Sequence, residues 1–212
     1  MNVLDFAIEV IGVSVSGVFA PGPLFFTNVT YGIRLGTRSG ICVAYGHTLV
    51  ELPLIVTLAA GLFTFDAERK YAGIIGLFGG IAALAIAGLQ IRGVISKNGA
   101  YGPVSEIAPI KRPFIAGVAL SAFNPFFLLW WSTAGLKLIA DSSAFGVTTG
   151  LVLLFSLHIW MDYVWLGGTA FLASKGSSMV NSKYYRLLLI GLSAMLVYYG
   201  ISFLLQAASE YL

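Results

Sequence analysis

Long stretches without a charged residue dominate this chain, and their lengths set its elements. Runs 10–33, 71–91, 113–136 and 187–209 hold no Asp, Glu, Lys or Arg; runs 39–65 and 142–174 hold one each, Glu51 and Asp162. About 20 apolar residues carry a helix across the hydrocarbon layer of a bilayer. The pattern therefore predicts six membrane-spanning helices. None of the runs sustains the apolar/polar alternation of a barrel strand, which is itself only about 10 residues long. The expected fold class is an all-α integral membrane protein.

Two of the runs carry their own interruption. Pro21-Gly22-Pro23 stands in the middle of the first, and Asn124-Pro125 stands in the middle of the fourth helix. A proline inside a helix removes a backbone hydrogen bond and clashes one turn back. In lipid the freed groups survive only where protein or a wet cavity covers them. The first helix is expected to break at Pro21–Pro23, and the fourth to be interrupted less severely at Pro125. The half-helices then present partly positive N–H ends and partly negative carbonyl ends. A zwitterion such as an amino acid suits that pair. A kink packed against neighbouring helices, with no ligand, is the plain alternative, and it is the stronger reading for a single proline such as Pro53 or Pro125 taken alone.

The two interruptions belong to a larger echo. Phe19-Ala20-Pro21 aligns with Phe123-Asn124-Pro125 at an offset of 104, and an aromatic pair follows each, Phe25-Phe26 and Phe126-Phe127. The only two histidines are His47 and His158; Glu51 follows the first by four residues and Asp162 follows the second by four, both at an offset of 111. Helices one to three and four to six thus read as two repeats. Three is odd, so the second copy runs the opposite way across the membrane, as in the inverted repeats of secondary transporters. The expected boundaries are 1–95 for the first repeat, 96–112 for a cytoplasmic linker and 113–212 for the second. The stretch "SKNGAYGPVSEIAPIKRP" holds three of the seven prolines and marks the join.

Charge then orients the chain. Nine of the 12 Lys and Arg residues fall in the loops after helices one, three and five, and three (Arg69, Lys70 and Lys137) fall on the other side. Positive loops stay cytoplasmic. Both termini are therefore expected outside the cytoplasm, in a multi-pass protein of the cell membrane. The same residues need no nucleic acid to explain them, although the net charge is +3. Composition agrees, at 58% hydrophobic and 10% charged against about 25% charged in soluble domains. Asp5 and Glu9 stand where a cleaved signal would carry Lys or Arg.

Glu51 and Asp162 carry the candidate chemistry. An acid within a membrane helix usually lines a polar pathway and often relays protons. Positions four apart share a helix face, so His47 lies beside Glu51 and His158 beside Asp162, able to tune or relay a coupling proton. Two imidazoles and two carboxylates also form a sensible ligand set for a divalent metal. Other classes fit poorly. The His-Glu-x-x-His pattern of a metalloprotease is absent. Cys42 is the only cysteine, so no dithiol carrier exists. A bare scaffold leaves the two acids unexplained. No enzyme activity and no cofactor are expected. Gly32, Gly36 and Gly40, four apart, suit close helix packing or a tight turn. Trp160 and Trp165 suit an interfacial belt, whereas Trp130 and Trp131 lie deep in their run and suit a cavity wall.

Taken together, these residues resemble the LysE/RhtB family of amino-acid exporters. The resemblance rests on Pro21-Gly22-Pro23, the glycines Gly32, Gly36, Gly40 and Gly46, Asn124-Pro125 and the fifth-helix acid Asp162, so it spans both halves. Val50 and Phe126 stand where members commonly carry glycine and lysine, which marks a divergent branch. The resemblance implies export of amino acids or related small metabolites from the cytoplasm, driven by an ion gradient. The expected substrate site is Pro21, Gly22, Pro23, Asn124 and Pro125. Glu51, Asp162, His47 and His158 are the expected proton-coupling residues, with proton antiport as the mechanism. The alternative is a divalent metal-ion exporter using those same four. The expected partners are the bilayer, protons and a small-molecule substrate, with association into a homo-oligomer left open.

Overall fold

The computed structural model describes residues 2–20, 22–61, 65–95, 111–175 and 183–209, and among these it is helical with no strand. α1 (Val3–Val18) opens on Asn2, whose side chain accepts the Asp5 N–H at 2.9 Å. α2 (Pro23–Leu35) begins with Pro23 at its first position, where a missing N–H costs nothing. α1 and α2 meet at 77°. Gly36, at φ 68°, turns the chain directly into α3 (Thr37–Ala59). A positive φ disfavours any side chain, so glycine fits there. α3 continues through Pro53 as one helix.

α4 spans Phe65–Ile95. α5 (Lys111–Ala122) begins two residues inside the stretch read as linker, and 96–110 lie outside the described residues. Asn124, in extended conformation, separates α5 from α6 (Pro125–Trp130). Its side-chain oxygen accepts the N–H groups of Phe126 at 3.1 Å and Phe127 at 3.4 Å. That is an N-cap with proline at the next position, which starts a new helix rather than continuing the old one. A π turn, Trp131–Gly135, follows, then α7 (Leu136–Ser142) and one 3₁₀ turn. α5 and the segment that starts at α6 meet at 56°, a smaller bend than between α1 and α2, in the expected order. α8 (Val147–Lys175) and α9 (Lys183–Ser209) complete the chain.

α3 and α8 are each long and apolar enough to cross a membrane, and the two bent pairs bring such spans to four among the described residues. α4 and α9, 31 and 27 residues long, pack along each other, with Gly80 and Gly200 at the contact. α3 and α8 form the centre. α5 lies against α3, and α2 lies against α8. Glycine permits these approaches. A Cβ on Gly40 would stand 2.3 Å from the Leu166 carbonyl oxygen, and one on Gly32 would stand 2.6 Å from the Ala170 Cα. One on Gly46 would stand 2.2 Å from the Phe114 oxygen, and one on Gly117 would stand 2.3 Å from the Val43 oxygen. Small residues of this kind let membrane helices approach closely.

Asn28 adds a polar tie between α2 and α8. It is buried, and its amide donates to the Leu166 carbonyl and the Thr169 hydroxyl, both at 2.9 Å. Where α1 begins and α3 ends, Phe6, Val10, Leu54, Ile55, Leu138 and Leu154 close the bundle with an apolar plug. At the rim beside this plug, Lys137 bonds to Glu9 of α1 and to Asp141 of its own helix.

Candidate functional site

The two breaks face each other across a cavity of about 440 Å³. That volume falls in the ordinary range for small-molecule sites, about 300–1,000 Å³. Gly22, at the start of α2, and Asn124, at the start of α6, both line it. Pro23 and Pro125 are buried at the first positions of those helices and do not face the cavity. Pro21 lies outside the described residues. Trp130, Trp131 and Trp165 face the cavity, and Trp160 is exposed on the outer surface.

His47, Glu51, His158 and Asp162 meet at the cavity wall, and all four are buried. The i, i+4 spacing accounts for two contacts, His47 Nε2 to Glu51 Oε1 at 3.3 Å and His158 Nε2 to Asp162 Oδ2 at 3.4 Å. Packing of α3 on α8 supplies two more. His158 Nε2 lies 3.1 Å from Glu51 Oε1, and His47 Nε2 lies 3.8 Å from Asp162 Oδ1. Each imidazole therefore stands between the two carboxylates.

Two serines fix the rings from behind. His47 Nδ1 lies 2.7 Å from Ser121 Oγ in α5, and His158 Nδ1 lies 2.7 Å from Ser14 Oγ in α1. Ser121 directs its single hydroxyl hydrogen to the Gly117 carbonyl at 2.7 Å. Its oxygen is thus an acceptor, so His47 Nδ1 is the donor. A neutral His47 would then turn a bare Nε2 towards the acids. The close Nε2–carboxylate approach requires a further proton, held on the imidazole or on the acid. Either placement gives the His47–carboxylate contact its hydrogen bond. Trp131, fully buried on the π turn, donates its Nε1–H to Glu51 Oε1 at 3.2 Å. π turns of this kind recur at functional sites.

Sequence reasoning brought together His47 with Glu51 and His158 with Asp162. It did not single out Ser14, Ser121 or Asn28. The available signal was a lone polar residue in an apolar run, which is weak because serine is common in membrane helices. One ligand atom each from His47, Glu51 and Asp162 lie within 4.8 Å of one another, a spacing that a metal ion can bridge.

No curated protein and no solved structure matches the chain. A family does. Broken helices beside a cavity, with buried acids lining it, recur in membrane transporters. The LysE type translocator family matches residues 15–207, nearly the whole chain, and the protein belongs to this family of membrane transporters.

Proposed function

We propose that the protein is a six-helix secondary transporter that exports amino acids or related small metabolites from the cytoplasm by proton antiport. The observation that carries this reading is the buried His47–Glu51–His158–Asp162 cluster, set in the wall of a solute-sized cavity between two broken helices. Substrate occupies the crevice beside Gly22 and Asn124, where Pro23 and Pro125 start the second half-helices. Glu51 and Asp162 carry the coupling proton, and His47 and His158 relay it.

An inverted repeat is supported by paired equivalences. α1 packs on α8 as α5 packs on α3, and His158 meets Ser14 of α1 as His47 meets Ser121 of α5. Alternating access follows from one half rocking against the other. The excess of Lys and Arg in the loops after helices one, three and five supports an orientation with both termini outside the cytoplasm. Purified protein in proteoliposomes tests the coupling. Glu51→Gln combined with Asp162→Asn should abolish solute flux driven by a pH gradient, and flux at the wild-type rate would refute the role of the acids.

The grouping of His47, Glu51 and Asp162 favours a second reading, a divalent metal ion as the exported cargo, with His158 completing the set. Measuring bound metal in purified protein, and thermal stabilisation by divalent cations against amino acids, separates the two.

A further inference from the structure

The hydrogen-bonding capacity around the cluster is lopsided. Nearly every donor is already engaged. His47 Nδ1 and His158 Nδ1 face serines, and both Nε2 atoms face carboxylates. Trp131 Nε1 serves Glu51, and Trp130 Nε1 serves Ser16 at 3.0 Å. What remains is acceptor capacity. Glu51 Oε2 and Asp162 Oδ2 are buried with no hydrogen bond among the described residues, the 3.4 Å approach of His158 to Asp162 Oδ2 being an ionic contact only. Among the described residues no Lys or Arg lines the cavity. A buried carboxylate oxygen left in this state calls for a cation with N–H groups to donate.

The body of such a cation is set by the rest of the wall. Phe25, Phe126, Phe127, Trp130, Trp165 and Tyr199 face the cavity. Phe25 stacks on Trp165 at 5.8 Å between centroids and 18° between planes. Phe127 meets His47 edge-on at 4.9 Å, and Trp130 lies 5.7 Å from His158. The aromatic wall therefore begins at the cluster itself. Ring faces attract cations and hold flat apolar groups. A bare metal ion needs neither the rings nor the volume. A carboxylate on the substrate would meet no cationic side chain among the described residues here, only the first N–H groups of α2, at Leu24 and Phe25, which no side chain caps. The Asn124 oxygen already caps the Phe126 and Phe127 amides, Pro23 has no N–H, and the Phe26 N–H is bonded to the Gly22 oxygen at 3.1 Å.

We infer that the cavity takes an organic ammonium ion with a flat apolar body, an arylalkyl amine. Its nitrogen is held at Glu51 and Asp162, its ring lies among Phe25, Phe127, Trp130 and Trp165, and it needs no free carboxylate. This rests on the transport reading and narrows its substrate.

Exchange in proteoliposomes tests it, using labelled phenethylamine, phenylalanine, ethylamine, 3-phenylpropanoate and Mn²⁺. Phenethylamine should exchange at least as well as phenylalanine, and 3-phenylpropanoate should neither exchange nor compete. Ethylamine should bind about tenfold more weakly for want of the ring contacts. Trp165→Ala should raise the KM for phenethylamine about tenfold and leave that for ethylamine unchanged. A fold defect would move both. Exchange of phenylalanine without phenethylamine, or competition by 3-phenylpropanoate, overturns the inference while transport stands. Equal KM changes for the two amines in Trp165→Ala overturn the ring placement. Exchange of Mn²⁺ with none of the amines overturns the inference in favour of metal cargo. No exchange of any probe overturns the inference, and the pH-gradient flux assay then decides the transport reading apart from it.

Discussion

A methyl group placed at Gly40 tests whether the site is held together by the contact of α3 with α8. Gly40→Ala puts a Cβ 2.3 Å from the Leu166 carbonyl oxygen and 2.7 Å from the Ala170 Cβ. Carbon and oxygen normally approach to about 3.3 Å, so the helices must separate by about 1 Å. Leu166 is one turn from Asp162, and Gly40 is two turns from His47. A separation of that size takes the His158 Nε2–Glu51 Oε1 contact from 3.1 Å to about 4 Å, beyond hydrogen-bonding distance. Overpacking of this kind costs about 1–3 kcal/mol. Thermal unfolding in detergent should register that loss, and proton-driven exchange should fall with it. Gly168→Ala is the control, because nothing lies within 4 Å of the place its methyl would occupy. Replacing an exposed helical glycine stabilises by about 0.4–1 kcal/mol. If Gly40→Ala melts with wild type and exchanges normally, the close α3–α8 approach does not position the acids.

Three further outcomes follow from the same geometry. Asn124→Ala removes the cap of α6 and should cost about 0.5–2 kcal/mol in thermal unfolding, with Asn124→Asp recovering most of it. Ser121→Ala strands the buried His47 Nδ1–H, at about 1–3 kcal/mol; Ser121→Thr, which keeps the hydroxyl, should restore both stability and exchange rate. Trp131→Phe keeps most of the apolar packing and deletes the donor to Glu51 Oε1. Its exchange rate in proteoliposomes should drop by more than its melting behaviour accounts for.

What the sequence makes legible here is whatever depends on near neighbours. Pro21-Gly22-Pro23 and Asn124-Pro125 announce their breaks because proline and a capping side chain act within one turn. His47 with Glu51, and His158 with Asp162, announce shared faces because helical periodicity places residues four apart together. The step from two pairs to one cluster was not legible. It depends on how far α3 and α8 can approach, which Gly40 and Gly32 set against α8. Ser14 and Ser121 were hidden for the same reason, since each serves a histidine more than 70 residues away in the chain. The π turn at Trp131–Gly135 had no signal of its own: the run there reads as ordinary apolar helix. The glycines, read as packing or turn residues, proved to be both. Gly36 makes the turn, and Gly32 and Gly40 make the contacts.

Matching two carboxylates with two imidazoles also has an electrical consequence. Were one proton shared in each half, the quartet would be neutral overall. Swapping a proton for a monovalent ammonium keeps it neutral, so a one-for-one exchange moves no net charge between the two faces. Displacing a whole charge across the bilayer would couple to voltage at about 2.3 kcal/mol per 100 mV. A one-for-one carrier of the proposed kind would run on acidity difference alone and ignore membrane voltage.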